Sequence, residues 1–138
     1  MTQRLHGSGM LLVSGLDELQ QCETFWYLAS PFTKFIDGLG AAYLLISDIS
    51  DCLERAGIAH FCPVKSSHEI CERSGIDRVD HDFWMAADRP FMERASGLVV
   101  IGLDGWEESL GIIAERAYFG AAHKPIYFMD PAVILALE

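Results

Sequence analysis

Glu115 lies in the stretch SLGIIAERA, residues 109–117, and its spacing from Gly111 and Ser109 suits a carboxylate aimed at a ligand. Helical side chains lean toward the N-terminus, so a carboxylate at 115 lies over position 111, one turn earlier. A glycine in a helix costs about 1 kcal/mol relative to alanine. At 111 it leaves room between the carboxylate and the start of the helix. Ser109 is a favoured N-cap residue. With the free N–H groups of the first turn it can meet an anionic group. An oriented carboxylate beside a phosphate-sized site suits attack on a sugar carbon. A plainer reading makes Glu115 a solvated surface residue and Gly111 a concession to close helix–strand packing.

Two further sets of residues can do chemistry. In YLASPF, residues 27–32, Tyr27 can hydrogen-bond a carboxylate and Ser30 can add a hydroxyl. Tyr27 read alone is a core aromatic. His60, Cys62, His68 and Cys71 form H-x-C-x5-H-x2-C, and His81 stands nearby in sequence. All are acceptable zinc ligands, but the spacing is not that of a standard finger. The competing reading, a core cysteine and unrelated histidines, is preferred, so no metal and no cofactor is expected.

The elements that must position these residues follow from the hydrophobic pattern. TFWYLAS (24–30), IAHFCPV (58–64), residues 97–103 and KPIYFM (124–129) read as short, continuously apolar strands. Between them, helical spacing runs from Asp37 to Ala56 with Gly57 as the stop. A second helix covers 79–96, interrupted or kinked by Pro90, a third covers 109–122, and a fourth starts at Pro131. Residues 65–75 read as a polar loop. In the third helix Leu110, Ile113, Ala114, Ala117 and Ala121 form the stripe expected to face the sheet, with Gly111, Glu115, Tyr118 and Ala122 alongside. Continuous apolar strands alternating with helices imply an α/β fold: a single doubly wound parallel sheet of four to five strands, covered on both faces. With strand order 2-1-3-4, the end of the first strand neighbours the start of the 109 helix. Residues 1–21 lack periodicity and read as an N-terminal extension to a domain spanning 22–138.

Composition bounds the partners. The chain has 138 residues, 51% of them hydrophobic, and a net charge of −10. That supports one domain with its own core and argues against long nucleic acid, which needs a basic patch. A mononucleotide remains compatible, since one phosphate can be held by backbone N–H groups. No apolar run approaches the ~20 residues of a membrane span, and no secretory signal is evident. The four cysteines contain no CxxC pair, so reduced thiols in the cytoplasm are expected.

At this point the chain resembles the nucleoside 2-deoxyribosyltransferase superfamily. YLASPF is similar to that family's first strand, DRPFMERASGLVVIGLDG to a central segment, and SLGIIAERA followed by KPI to its catalytic helix and next strand. The resemblance covers roughly residues 24–129. It implies that Glu115 is a nucleophile attacking C1′ of a nucleoside, that Tyr27 orients it, and that Asp88 handles the leaving base's proton. With that reading, Ser30, Pro31, Phe32, Lys34, Ser96, Trp106, Ser109 and Gly111 are the candidate substrate-binding residues, although GLDGWEES departs from the transferases, which are more acidic where this chain has Trp106. The transferases carry Asp where this chain has Ser109. A serine there resembles the deoxynucleoside 5′-monophosphate N-glycosidases and agrees with electrostatics, since an Asp would repel a phosphate. Ser30 and Ser96 add hydroxyls and Lys34 a charge. Trp106 is read as stacking on a base or sugar in preference to capping the core. His68 reads equally as a ligand contact or an interface residue. The segments HDFW and SSHEI resemble a compact, functionally uncharacterised subgroup of the same fold. The resemblance further implies a homo-oligomer acting on a small nucleotide or nucleoside, with Phe83, Trp84, Phe91 and Met92 able to supply an interface or fill the core.

Overall fold

The computed structural model describes residues 5–31, 39–75 and 81–136. Five parallel strands form one sheet: β1 (Leu11–Leu12), β2 (Trp26–Ala29), β3 (His60–Phe61), β4 (Gly97–Ile101) and β5 (Ile126–Met129), in the order β1-β5-β4-β2-β3. Five helices accompany them: α1 (Leu39–Arg55), α2 (Pro63–Ser74), α3 (His81–Arg94), α4 (Leu110–Ala121) and the short α5 (Pro131–Leu135). Among the described residues no helix is long and apolar enough to cross a membrane.

The fold is the expected doubly wound α/β sheet, because each central strand is apolar on both sides. In β2, Trp26 and Leu28 join the core against α1 and α5, while Tyr27 and Ala29 join the core against α3 and α4. In β4, Val99 and Ile101 go one way, Leu98 and Val100 the other. Every residue of both strands is buried. Full burial of one such large aliphatic or aromatic side chain contributes roughly 1.5–3 kcal/mol. The register pairs Tyr27 with Leu98 and Ala29 with Val100, so the first-strand residues lie directly beside the strand that leads to α4.

Several boundaries differ from the sequence reading. Leu11 and Leu12 pair with Tyr127 and Phe128 as an edge strand, and Leu19 is fully buried. The stretch read as an extension therefore packs into the sheet and its core. It was opaque because a two-residue strand has no measurable period. The expected loop at 65–75 is mostly helix α2, with Pro63 at its first position, where proline's missing N–H costs nothing. Val64 is its one fully buried apolar side chain among the described positions, too little to make a periodic signal. α3 runs through Pro90 as a single helix. Gly57 stops the α1 turn as expected: it sits at φ +75°. Ile58 N–H then reaches Leu53 O at 2.9 Å and Gly57 N–H reaches Glu54 O at 3.0 Å, the paired bonds of a Schellman cap.

Candidate functional site

Ser109 caps α4 from an extended conformation (φ −69°, ψ 118°), and its Oγ accepts a hydrogen bond from Ile112 N–H at 3.3 Å. With its oxygen accepting from the helix, the hydroxyl hydrogen is left to donate elsewhere. The serine is only 4% exposed.

The helix then turns a different face to the sheet from the one expected. Ile112, Glu115 and Phe119 are buried, whereas Leu110 is 63% and Ile113 52% exposed. Ala117 and Ala121 are exposed as well. The physical reason lies in α4's composition. It is apolar nearly all round, so two apolar stripes compete, and the bulk of Ile112 and Phe119 decides which one fits the core. Glu115 was placed beside the buried stripe; it lies within it.

The carboxylate does reach back over Gly111. A Cβ built on Gly111 would lie 3.9 Å from Glu115 Oε1 and 3.7 Å from Ser109 Oγ. No strand atom comes within 4 Å of that position, so close helix–strand packing is not why the glycine is there. Among the described residues, one carboxylate oxygen and one hydroxyl oxygen border that position at contact distance.

Three elements converge beneath it. Tyr27 from β2 is fully buried, and its hydroxyl interacts with the carboxyls of both Glu115 from α4 and Asp88 from α3. Neither contact has the geometry of a complete hydrogen bond, and Tyr27 Oη has no other partner among the described residues. Phe61 and Phe119 hold the tyrosine ring, each with its centroid 5.7 Å away, and Phe91 stacks on Phe61 at 3.9 Å. Phe61 and Phe119 have no part in the sequence reading of the site, whereas Phe91, expected at an interface or in the core, packs on the core side against Phe61. Phe119, one turn after Glu115, was the legible signal.

Burial dominates the electrostatics. It pushes the Glu115 carboxyl up to about 8, with the Asp88 charge adding and the Tyr27 hydroxyl opposing. Burial also pushes Asp88 up to about 6, again opposed by Tyr27. The phenol of Tyr27 is pushed far above its ordinary value, first by burial and then by the two carboxyls, so it stays protonated. The two carboxyls therefore lose their protons at different pH, beside a hydroxyl that stays protonated.

The remaining site residues divide. Ser30 follows β2, and its Oγ is buried without a partner among the described residues. Pro31 beside it is buried. Phe32 and Lys34 lie outside the described residues. Ser96 does not join the site. It immediately precedes β4, whose Gly97 is paired with Trp26, so it sits where the strands begin. There its Oγ accepts from Thr24 N–H and meets Thr24 Oγ1, both at 2.9 Å. Trp106 belongs to a 3-10 turn over 106–108. Its ring packs edge-on against His6 at 5.9 Å and against Phe128 at 5.2 Å, with the Arg116 guanidinium 6.0 Å above it. The expected stacking partner is thus held by the protein's own groups.

The histidine–cysteine alternative has little support. His60 Nε2 contacts Ser50 Oγ at 2.6 Å and its Nδ1 contacts Ile58 O at 2.8 Å. Cys62 is a buried free thiol, and burial raises it to about 11. The side chains of Cys71 and His81 lie outside those described. Among the described residues no cluster of three or more His, Cys, Asp or Glu could hold a metal ion. His68 stacks on Tyr43 at 4.1 Å, between α2 and α1.

A groove of about 440 Å³ opens elsewhere, lined by Thr24, Trp26, Arg94, Ser96 and Lys124 among others. Several of its polar side chains are already engaged, Thr24 and Ser96 with each other. Lys124 Nζ donates to Met92 O at 3.0 Å and Glu93 O at 2.7 Å, and Arg94 donates to Pro90 O at 3.3 Å.

Fold and site together define a doubly wound α/β domain with a buried glutamate and a half-buried aspartate beside a tyrosine. Residues 25–131 match the model of a family described as a domain of unknown function, DUF1937, and the chain belongs to that family. The matched span contains Tyr27, Asp88, Ser109 and Glu115. No curated protein matches the chain.

Proposed function

We propose that this protein cleaves or transfers the N-glycosidic bond of a nucleotide-like substrate, with Glu115 as the nucleophile. The observation that carries the reading is the meeting of Tyr27, Asp88 and Glu115, from three separate elements, next to the empty position at Gly111. The resemblance to the nucleoside 2-deoxyribosyltransferase superfamily supports the same roles.

In this reading the sugar occupies the space over Gly111. Its 5′-phosphate takes the Ser109 hydroxyl hydrogen and the N–H groups that open α4, with Ser30 a further donor. Binding of the phosphate holds C1′ against the carboxylate. Glu115 attacks C1′, the bond to the base breaks, and a glycosyl ester forms on the enzyme. Asp88 serves the departing base, and water or a second base then resolves the ester. Tyr27 stays protonated beside both carboxyls and can donate its one hydrogen to either of them in turn.

The test is incubation with ribo- and deoxynucleoside 5′-monophosphates and NAD, with chromatography for free base. Release by the wild type, lost in a folded Glu115→Gln variant, is the expected result. Wild-type rates in that variant would overturn the mechanism. A second reading, a nucleotide-binding sensor that does no chemistry, is favoured by one observation: burial leaves the free Glu115 protonated at neutral pH. Nucleotides that shift the melting temperature without releasing base would establish it.

The homo-oligomer implied by the resemblance stays part of the proposal, and the exposed stripe of Leu110, Ile113 and Ala117 is the surface to test. Dilution-dependent sedimentation of the wild type, compared with Ile113→Glu, checks it. We place the activity in the cytoplasm, consistent with the free thiols of Cys22, Cys52 and Cys62.

A further inference from the structure

Residues 5–24 lie ahead of the matched family span, yet one of their side chains reaches the turn that leads into α4. Leu5, Gly7, Ser8 and Gly9 are exposed, and His6 among them is half-buried. Hydrogen bonds within the segment close it into a turn: His6 N–H donates to Met10 O at 2.7 Å and Gly9 N–H to His6 O at 2.9 Å. Ser8 orients the imidazole, its N–H donating to Nδ1 at 3.2 Å and its Oγ lying 2.8 Å from the same nitrogen. Met10, 4% exposed, ties the turn to β1.

The surface beneath that ring is rigid. His6 stacks on Phe128 with centroids 3.8 Å apart and planes 18° apart. A Cβ on Gly102 would lie 2.2 Å from Phe128 Cζ, so the phenyl ring is seated directly on the backbone just past β4. Both rings stand where β4 and β5 end, the side on which doubly wound sheets take ligands. Trp106 closes the corner, 5.9 Å from His6 and 5.2 Å from Phe128. Trp106 in turn holds the chain between buried Leu103 and buried Ser109. Asp104, Glu107 and Glu108 are exposed and Gly105 sits at φ +93°, so within 104–108 it is Trp106 that packs against the core. Its carbonyl oxygen accepts from Ser109 N–H at 3.4 Å.

We propose that His6 is a positioning residue: by filling the corner between Phe128 and Trp106 it sets the 106–109 turn, and with it the place where Ser109 meets the anionic end of the substrate. This rests on the reading of Ser109 as a substrate contact, and it adds to the site a residue from outside the family's domain. His6 itself makes no bond to the substrate. Without its ring, Trp106 loses an edge-on aromatic contact and gains a void to relax into. Tyr27 and Asp88 belong to β2 and α3 and do not depend on that turn. A phosphorylated substrate therefore feels the change, whereas its parent nucleoside does not.

The test compares wild type, His6→Ala and His6→Phe on ribo- and deoxynucleoside 5′-monophosphates, each beside its parent nucleoside. His6→Ala should lower kcat/KM for the monophosphate about fivefold, as expected for one lost aromatic contact, and leave the nucleoside unchanged. It should also speed hydrogen exchange severalfold at the Ser109 and Ile112 amides, which are bonded to Trp106 O and Ser109 Oγ. His6→Phe keeps a ring on Phe128 and should return both readouts to wild-type values. Equal losses on monophosphate and nucleoside would overturn the proposal, because they mark a general loss of structure. A His6→Phe variant as impaired as His6→Ala would overturn it too, since stacking would not be what counts. Unchanged kcat/KM for the monophosphate would overturn it whatever the exchange shows, and base release by the wild type would still uphold the glycosidic reading. If nucleotides bind and no base is released, the glycosidic reading falls and the same comparison is read from dissociation constants. Failure of every nucleotide to bind would remove both.

Discussion

Thr24 and Ser96, where β2 and β4 begin, hold each other at 2.9 Å, and Thr24 Oγ1 also donates to Arg94 O at 2.7 Å. Tyr27, three residues further along, is fully buried and its hydroxyl completes no hydrogen bond. The first region has a groove and matched polar groups. The second has buried, unmatched polar groups and two carboxyls raised by burial. A concave surface whose donors and acceptors already serve one another has little left to offer a ligand. Leaving a buried donor or acceptor unsatisfied costs about 1–3 kcal/mol, and a fold carries such a cost mainly where function requires it.

The contrast can be broken most sharply at Glu115. Glu115→Gln should lower base release about a thousandfold or more, read by chromatography on folded protein. It should also change how stability depends on pH. The folded protein holds the Glu115 proton up to about pH 8, whereas an unperturbed glutamate releases it near 4.5. The native state therefore binds the proton more tightly, and wild-type stability falls as pH rises between those values. The Gln variant escapes that loss. Melting curves should nearly coincide at pH 4 and separate by about 5 °C in favour of the variant at pH 9.

Tyr27→Phe sharpens the same comparison. Removing a buried, unpartnered hydroxyl should stabilise the fold by about 1 kcal/mol, measured by denaturant unfolding. Base release should slow about tenfold, and the acid limb of the rate profile should move to higher pH, because the hydroxyl holds the Glu115 value down. Ser96→Ala should do the opposite. Thr24 N–H loses its acceptor, stability drops by about 1 kcal/mol, and turnover is unchanged. An activity loss there would return Ser96 to the site.

The smallest effect is expected from Gly111→Ala. The new methyl meets Ser109 Oγ and Glu115 Oε1 at ordinary contact distances. The helix gains up to about 1 kcal/mol, while KM rises because the methyl takes the substrate's space. A variant with unchanged KM would show that the ligand does not use that position.

Much of this was legible in advance. The alternation of short apolar runs with helical spacing specifies a sheet covered on both faces, because only such a sheet buries continuous strands. The strand order placed the end of β2 beside the start of α4, as the pairing shows. Ser109 as N-cap and Glu115 over Gly111 followed from local helix geometry, which depends on residues within one turn. The edge strand at Leu11–Leu12 and the helix from Pro63 were illegible, being too short or too sparsely apolar to show a period.

The sequence by itself determined which groups could do chemistry and the elements that carry them, since both depend on local spacing. Tertiary packing alone decided which side of α4 is inside. Leu110 and Ile113 are as apolar as Ile112 and Phe119, and only the shape of the space over β4 selects between them. The same choice took Glu115 from the margin of the apolar face into the core beside Tyr27 and Asp88, and left Ser96 at the far end of its strand. Burial, and with it the raised pKa of each of the two carboxyls, is a property of the assembled neighbours, because desolvation depends on groups distant in the chain.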